Sequence, residues 1–419
     1  MDRPAPARDP ARAAPPLRPL GMTRAEFVAA AREHGRSAGG ARDEYRALFR
    51  EGVVPAWCEV PDYPVTATLV EGATSKFVLR LTDAGMEGLE TESVLIPMPR
   101  ASGTTTTLCV SSQIGCAMGC RFCETAQMGL VRNLRADQIV HQWWSATHRV
   151  PRPTDPASTQ EVENPQAPSA VKNPQARSAV KNPQARSAVK NIVFMGMGEP
   201  TDNIDEVVQA IRVLVDHDGA KVPASNIAIS TVGNPDGIRR IGDLVREEGF
   251  HRLNLALSLN APNDSIRSEI MPVNRAWPMA ELKRALLEFP RYSQAAFCVE
   301  YVLIPGVNDS DADCDEVCAF LREIRCSLNV IPYNPRRNSP WPAPSEDSVS
   351  RFIARAVANG QFTKRRGTKG RNVMAACGQL GNEKIRARKH IADDGSARPV
   401  SLGIPAAKPA PPKHAEPGS

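Results

Sequence analysis

The sequence lacks any run of about 18 uninterrupted apolar residues, and its opening Met1-Asp2-Arg3-Pro4 carries no apolar signal core. The expectation is a soluble, cytoplasmic protein with no membrane segment. It also lacks a regular cysteine spacing: ten Cys lie scattered along 419 residues. That pattern argues against the disulfide framework of a small secreted domain and for metal or redox chemistry. A large excess of one charge is missing too. The 52 Lys and Arg exceed 46 Asp and Glu by only six, which suits a polyanionic partner without requiring one. Length, by contrast, is ample, and allows two to four modules with a sizeable core. Proline is abundant at 37, about twice the usual share, so part of the chain must be linker.

The proline falls in particular places. Residues 1–21 and 386–419 are rich in Pro and Ala with almost no apolar periodicity, and both read as disordered tails. Between 164 and 190 a nine-residue unit, NPQAPSAVK and then NPQARSAVK twice, repeats in tandem. Each unit offers only Val and Ala as apolar surface, too little for a solenoid, so 149–190 reads as a flexible insertion. From Met22 the text MTRAEFVAAAREHG carries a capping box, with Thr23 at the cap and Glu26 three residues on. A second helix, ARDEYRALFREG, ends at Gly52, and β-rich text follows from Val65 to Pro97. Residues 22–100 are thus expected to form an accessory helical and β module.

From 101 to 385 the text changes to short, nearly continuous apolar runs: TTLCVSS, NIVFMGMG, NIAISTVG, LNLALSLN, AFCVEYVLIPG and SLNVIPYN. Such runs suit strands buried on both faces of a parallel sheet, and amphipathic stretches such as IDEVVQAIRVLVDHDG lie between them. Six strands fall short of a closed eight-stranded barrel, so the fold class expected is α/β, a partial (β/α)6 barrel. Its chemistry should sit at the carboxyl ends of the strands.

The unusual residues fall there. Cys116, Cys120 and Cys123 stand within eight residues, and no second pair follows to complete a zinc site. Three thiolates suit a [4Fe-4S] cluster whose fourth iron stays open to another ligand. The turn Gly196-Met-Gly198-Glu199-Pro200 ends the second strand, where small residues and a carboxylate can approach an ammonium group. Ser230, Ser258 with Leu259 and Asn260, and Asn334 end later strands. Each alone reads as a cap; together they describe a polar mouth. The cysteine pattern resembles the radical S-adenosylmethionine superfamily, which implies an iron-sulfur cluster and S-adenosylmethionine as cofactors, the latter contacted by these rim residues.

Further words narrow the resemblance. CVSSQIGCAMGCRFCETAQMGLVRNL at 109–134, MGMGEP, SLNAPND, IMPVNR, EYVLIPGVNDS, IPYNP and AACGQL at 375–380 closely resemble the RlmN and Cfr family of radical RNA methyltransferases, over about 65–385. From the residues alone, Cys377 reads equally as a buried small thiol or as a sulfur presented to a substrate, and Cys109 reads as strand core. The resemblance implies that Cys377 is methylated by one cofactor molecule and loses a hydrogen to a radical made from a second. The resulting carbon then adds to an adenosine. Cys109 would release the product by a transient disulfide with Cys377, and Glu92 would accept a proton.

The resemblance further implies RNA as partner, 23S rRNA and in some cases tRNA, and an external reductant such as flavodoxin or ferredoxin. GMGEP is nearer to RlmN, which acts at C2, than to Cfr, which acts at C8 and tends to Ala after the Glu. A monomer is expected. The basic runs Lys364, Arg365, Arg366, Lys369, Arg371 and Lys384, Arg386, Arg388, Lys389 flank Cys377 and could meet phosphates. One departure stands out: Asn260 occupies a position where the family usually has His. Two other classes keep some of these features, a radical enzyme acting on a non-RNA substrate and an iron-sulfur RNA-binding or sensor protein without catalysis.

Overall fold

The structure, a computed structural model, describes residues 17–100, 103–150, 189–292 and 296–382. Its N-terminal helices form where their caps dictate. Ahead of α1 (Arg24–Glu33) the Thr23 hydroxyl accepts the Glu26 N–H, and the Glu26 carboxylate accepts the Thr23 N–H at 2.7 Å. Helix α2 (Ala38–Glu51) starts at Ser37 and ends at Gly52. The two helices pack through buried Phe27, Tyr45, Leu48 and Phe49.

Four antiparallel strands follow, β1 (Val65–Glu71), β2 (Thr74–Arg80), β3 (Glu90–Arg100) and β4 (Gly103–Val110). A small hairpin of β5 (Gln113–Gly115) and β6 (Leu130–Asn133) encloses the cysteine loop and the short α3 (Glu124–Gln127), and α4 (Ala136–His148) leads away from it. Then strands and helices alternate: β7 (Val189–Phe194), α5 (Ile204–Val215), β8 (Ile227–Thr231), α6 (Pro235–Arg246) and β9 (Asn254–Ser258). The alternation continues through α7 (Asp264–Ile270), α8 (Met279–Glu288), β10 (Phe297–Leu303), α9 (Asp311–Leu321), β11 (Cys326–Pro332), α10 (Glu346–Ala358) and β12 (Thr363–Arg365).

All the strands but β5 and β6 join one ten-stranded sheet in the order β1-β2-β3-β4-β7-β8-β9-β10-β11-β12. From β4 to β12 every pairing is parallel. The six expected strands are all there, and β12 adds a short seventh that three polar residues, Thr363-Lys364-Arg365, do not announce as a strand. The sheet is open, with β1 and β12 at its two edges, in keeping with a partial α/β barrel. Ile192, Ile227, Leu257, Val299 and Leu328 lie fully buried between sheet and helices, each contributing about 1.5–3 kcal/mol of transfer free energy.

Three expectations change. The β-rich accessory text does not stand apart, because β3 pairs with β4 and so extends the barrel sheet. The stretch read as a tail through residue 21 is folded from Leu17 on. Leu17 bridges to Cys58, Leu20 is buried, and Arg18 pairs with Asp83. The insertion at 149–190 is structured at both ends. Arg149 pairs with Asp62 at 2.6 Å, Val150 is buried, and Val189 and Lys190, the last residues of the third repeat, begin β7. The remainder of the repeats and the tail at 386–419, with Lys384, Arg386, Arg388 and Lys389, lie outside the described residues.

Candidate functional site

A cavity opens at the carboxyl ends of β7 to β11. Its wall contains Cys116, Cys120 and Cys123, the Gly198-Glu199 turn, Ser230, Ser258, Asn260, Asn334 and Cys377. Residues spread over more than 260 positions thus meet at one mouth, where a parallel sheet leaves its strand ends unpaired.

The cysteine loop is held by its own backbone. The Cys116 N–H donates to the Gly129 carbonyl at 3.0 Å, and the Gln127 side-chain amide donates to the carbonyls of Cys120 at 3.2 Å and Cys123 at 3.1 Å. Met118, Phe122, Ile270, Met271 and Tyr333 pack round the thiols. Burial in that apolar bed pushes all three thiols above their ordinary range, so an unliganded set would keep its protons. A cationic cluster reverses this by drawing out the thiolates. Among the described residues no group of three His, Cys, Asp or Glu closes round one point as a single-ion site would. A cluster makes a different demand, since each thiolate holds its own iron.

The Gly-rich turn is shaped by what it touches. A Cβ at Gly196 would lie 2.6 Å from the Val110 carbonyl oxygen, and Gly198 has φ of +100° with Gln113 pressed against it. Glu199 is buried and its carboxylate is fully engaged: one oxygen accepts the Thr201 N–H at 3.1 Å and the Thr201 hydroxyl, the other the Val232 N–H at 3.0 Å. Burial still pushes this carboxyl up, against those hydrogen bonds. Glu199 therefore braces the turn as well as facing the cavity. Other polar groups on the wall have less to do. The Ser230 and Ser258 hydroxyls lie 3.3 Å apart, and the buried Asn334 Oδ1 has no hydrogen-bond partner. An unpaired buried acceptor beside a carboxylate and two hydroxyls fits a ligand that brings its own N–H and O–H donors.

Asn260 has a backbone reason. Its φ is +59°, a left-handed conformation that Asn tolerates better than most residues. Its Oδ1 accepts the Val302 N–H at 2.9 Å, which joins the end of β9 to β10. Leu259 does not reach the cavity; it is fully buried, and its carbonyl accepts Arg267 Nε at 3.0 Å. Arg267 itself is buried and also reaches the Val232 and Ser258 carbonyls, pinning the rim from below.

Cys377 rides on the segment 370–381, which is fastened to the cluster loop. The Glu124 N–H donates to the Gly378 carbonyl at 2.7 Å, and the Thr125 hydroxyl donates to the Leu380 carbonyl. Cys109 on β4 lies behind this segment, in an apolar cluster with Val94, Met197, Ala375 and Leu380, and is not part of the cavity wall. All ten cysteines are free thiols in the structure. Glu92 is likewise off the wall: its carboxylate accepts Lys76 Nζ at 3.3 Å and the Gly381 N–H at 3.3 Å. Cys377 alone of the three therefore faces the cavity.

A second, larger cleft of about 460 Å³ shares Met195, Glu300, Ile331, Asn334 and Cys377 with the first. Its rim carries Lys364, Arg365, Arg366 and Lys369. Gln113, Thr201, Lys76 and Glu300 join these residues without having been expected from the sequence. The last of these had a signal, a charged residue inside the otherwise apolar strand FCVEYVL.

Residues 110–316 match the radical SAM superfamily. A probable dual-specificity RNA methyltransferase RlmN 1 from Protochlamydia amoebophila (strain UWE25) is 38% identical over 326 residues, covering 78% of each chain. The dual-specificity RNA methyltransferase RlmN of Syntrophotalea carbinolica (strain DSM 2380 / NBRC 103641 / GraBd1) is 36% identical over 78% of this chain and 75% of its own. Among solved structures, a radical SAM methyltransferase from Sphaerobacter thermophilus matches with a TM-score of 0.70 at 32% identity, over 87% of this chain and 99% of that one. With its three-cysteine loop, its Gly-rich turn and its Cys377 segment meeting at one barrel mouth, this chain belongs to the RlmN family of radical SAM methyltransferases.

Proposed function

We propose that the protein methylates C2 of an adenosine in 23S rRNA and in tRNA, with a [4Fe-4S] cluster and S-adenosylmethionine as cofactors and Cys377 as the methyl carrier. The observation that supports it most is that Cys377 lines both cavities, one walled by the three cysteines and the polar rim, the other rimmed by cations. Adenine C2 is electron-poor and has no lone pair, so direct attack on a methyl sulfonium is closed to it. When bound, the cluster and S-adenosylmethionine supply an electrophilic methyl group and one-electron chemistry.

The chain's own residues do the rest. Cys116, Cys120 and Cys123 hold the cluster, and Gly198, Glu199, Ser230, Ser258, Asn260 and Asn334 orient the cofactor, with Leu259 fixing the β9 end from the core. Cys377 presents its sulfur between cofactor and base. Cys109, packed behind the same segment, is the thiol that reaches Cys377 when the product leaves, and Glu92 takes up the proton. Because neither reaches the cavity with the segment seated, product release involves movement of 370–381.

RNA meets the second cleft. Lys364, on its rim, lies 5.0 Å from the ring of Phe362, which is 61% exposed, so a cation and an aromatic side chain stand together beside the cleft. Phosphate contact and base stacking call for such a pair. Residues 101–385 carry the cluster loop, the cofactor rim and Cys377, while 22–100 extend the sheet beyond β4 and supply Glu92. The protein acts as a monomer, and a flavodoxin or ferredoxin supplies electrons in the cytoplasm. No helix among the described residues is long and apolar enough to cross a membrane.

Nucleoside mass spectrometry of rRNA and tRNA from a deletion strain tests the reading. Loss of 2-methyladenosine, restored by the intact gene, is expected. Loss of 8-methyladenosine instead would move the reaction to C8, and no change in either would overturn it.

A further inference from the structure

A thiol that is to accept a methyl group must ionise, and Cys377 sits where ionisation is costly. It faces a cleft whose apolar wall includes Met195, Ile331, Ala375 and Ala376, and the apolar cluster of Val94, Met197 and Leu380 round Cys109 lies behind its segment. The charged groups near it come from few elements. Arg366 follows β12, Glu300 lies on β10, and the Lys76 and Glu92 pair sits behind the segment on β2 and β3. The neutral thiols Cys109 on β4 and Cys298 on β10 complete the surroundings. Lys364, Arg365 and Lys369 stand further out on the rim, where Arg365 is held by Glu346.

Arg366 is the cation with a built position. Its N–H donates to the Val330 carbonyl at 2.9 Å, so the backbone is an extension of the β11 and β12 pairing. That register turns the guanidinium inward to Glu300, whose carboxylate is 9% exposed, and both terminal nitrogens lie 3.6 Å from the Met195 sulfur. Arg366, Glu300, Met195 and Cys377 line the same cleft. We propose that Arg366 is a positioning residue for the reaction: its guanidinium, steered by Glu300, is the charge against which the Cys377 thiolate forms, and the same charge serves Cys109. The proposal rests on the reading of Cys377 as methyl carrier.

The electrostatics run in that direction. Burial pushes the Cys377 thiol up, and Arg366 is the main opposing influence. Burial and the neighbouring Cys377 push Cys109 up to about 12, again opposed by Arg366. Glu300 acts on both thiols with the opposite sign. In the loading step the thiolate lone pair forms the new C–S bond, and the pair of the broken sulfonium C–S bond stays on the departing thioether. A protonated Cys377 has no such anionic pair to give.

The test is the pH dependence of Cys377 alkylation by iodoacetamide in the full chain carrying its cluster, freed of S-adenosylmethionine and followed on the unmethylated Cys377 peptide by mass spectrometry. Relative to its high-pH plateau, the rate at pH 8 is expected to fall about tenfold in Arg366→Met, to be largely restored in Arg366→Lys, and to rise in Glu300→Gln. A native profile in a folded Arg366→Met would overturn the proposal. If that variant fails to fold, a native profile in Glu300→Gln would overturn it equally. Failure of the carrier reading is seen separately, as active enzyme whose Cys377 never bears a methyl group.

Discussion

Lys76 is the residue whose removal reads most directly on how Glu92 and the Cys377 segment are held. On β2 it lies opposite Val94, which places it diagonally across from Glu92 on the same face of β3. Its Nζ donates to Glu92 at 3.3 Å and to the Met374 carbonyl at 3.2 Å, with the two side chains only 6% and 5% exposed. In Lys76→Met the carboxylate keeps the Gly381 N–H but loses its cation. Breaking one partner of a buried pair costs about 3–5 kcal/mol, because the other charge is left uncompensated. That is a large part of the about 5–15 kcal/mol that holds a typical domain folded. Urea denaturation at neutral pH should show this loss, and Lys76→Met/Glu92→Gln should recover at least half of it. Since Met374 and Gly381 bracket Cys377, hydrogen exchange across 374–381 should quicken in the single variant. A loss below about 1 kcal/mol, additive with Glu92→Gln, would show that Lys76 and Glu92 are not a coupled buried pair.

Two further outcomes follow from other parts of the fold. His141 is fully buried, with Nε2 3.0 Å from the Pro61 carbonyl and Nδ1 3.0 Å from the Ser145 hydroxyl, and burial pushes it down to about 4. The unfolded chain binds this proton below about pH 6.5 and the folded one does not, so stability should fall by about 3 kcal/mol between pH 6.5 and 4 and level off below. His141→Gln should flatten that slope in pH-dependent urea melts, and an unchanged slope would contradict the assignment. Gly196→Ala would bring a methyl within 2.6 Å of the Val110 oxygen and 2.8 Å of Ser111 Oγ, forcing β4 and β7 apart at the cavity. A loss of about 1–3 kcal/mol and weaker S-adenosylmethionine binding by calorimetry are expected; native affinity would show that the turn has room to spare.

The sequence was most legible where local chemistry decides. The capping box at Thr23 and Glu26, the six apolar strands and the cysteine loop follow from spacing and residue type, and each is found where expected. The polar mouth was legible as a set although no member was persuasive alone, because strand ends in a parallel sheet converge. What escaped depends on contacts distant in sequence. Gln113 supports the turn by accepting the Glu199 N–H at 2.8 Å across 86 positions. Thr363-Lys364-Arg365 becomes a strand only because β11 offers it an edge. Leu17 and Arg18 fold because Cys58 and Asp83 receive them, which Pro-rich composition does not reveal. Asn260, a departure from the family's usual His, makes sense once its left-handed backbone is known.

Whether Cys377 carries the methyl group to RNA is decided by peptide mass spectrometry of the anaerobically reconstituted protein. After incubation with S-adenosylmethionine and a reductant, Cys377 should bear a methyl group. Addition of 23S rRNA fragments should yield 2-methyladenosine, and Cys377→Ala should yield none. RNA methylated by protein whose Cys377 stays unmodified, or by the Cys377→Ala variant, would show that Cys377 is not the methyl carrier.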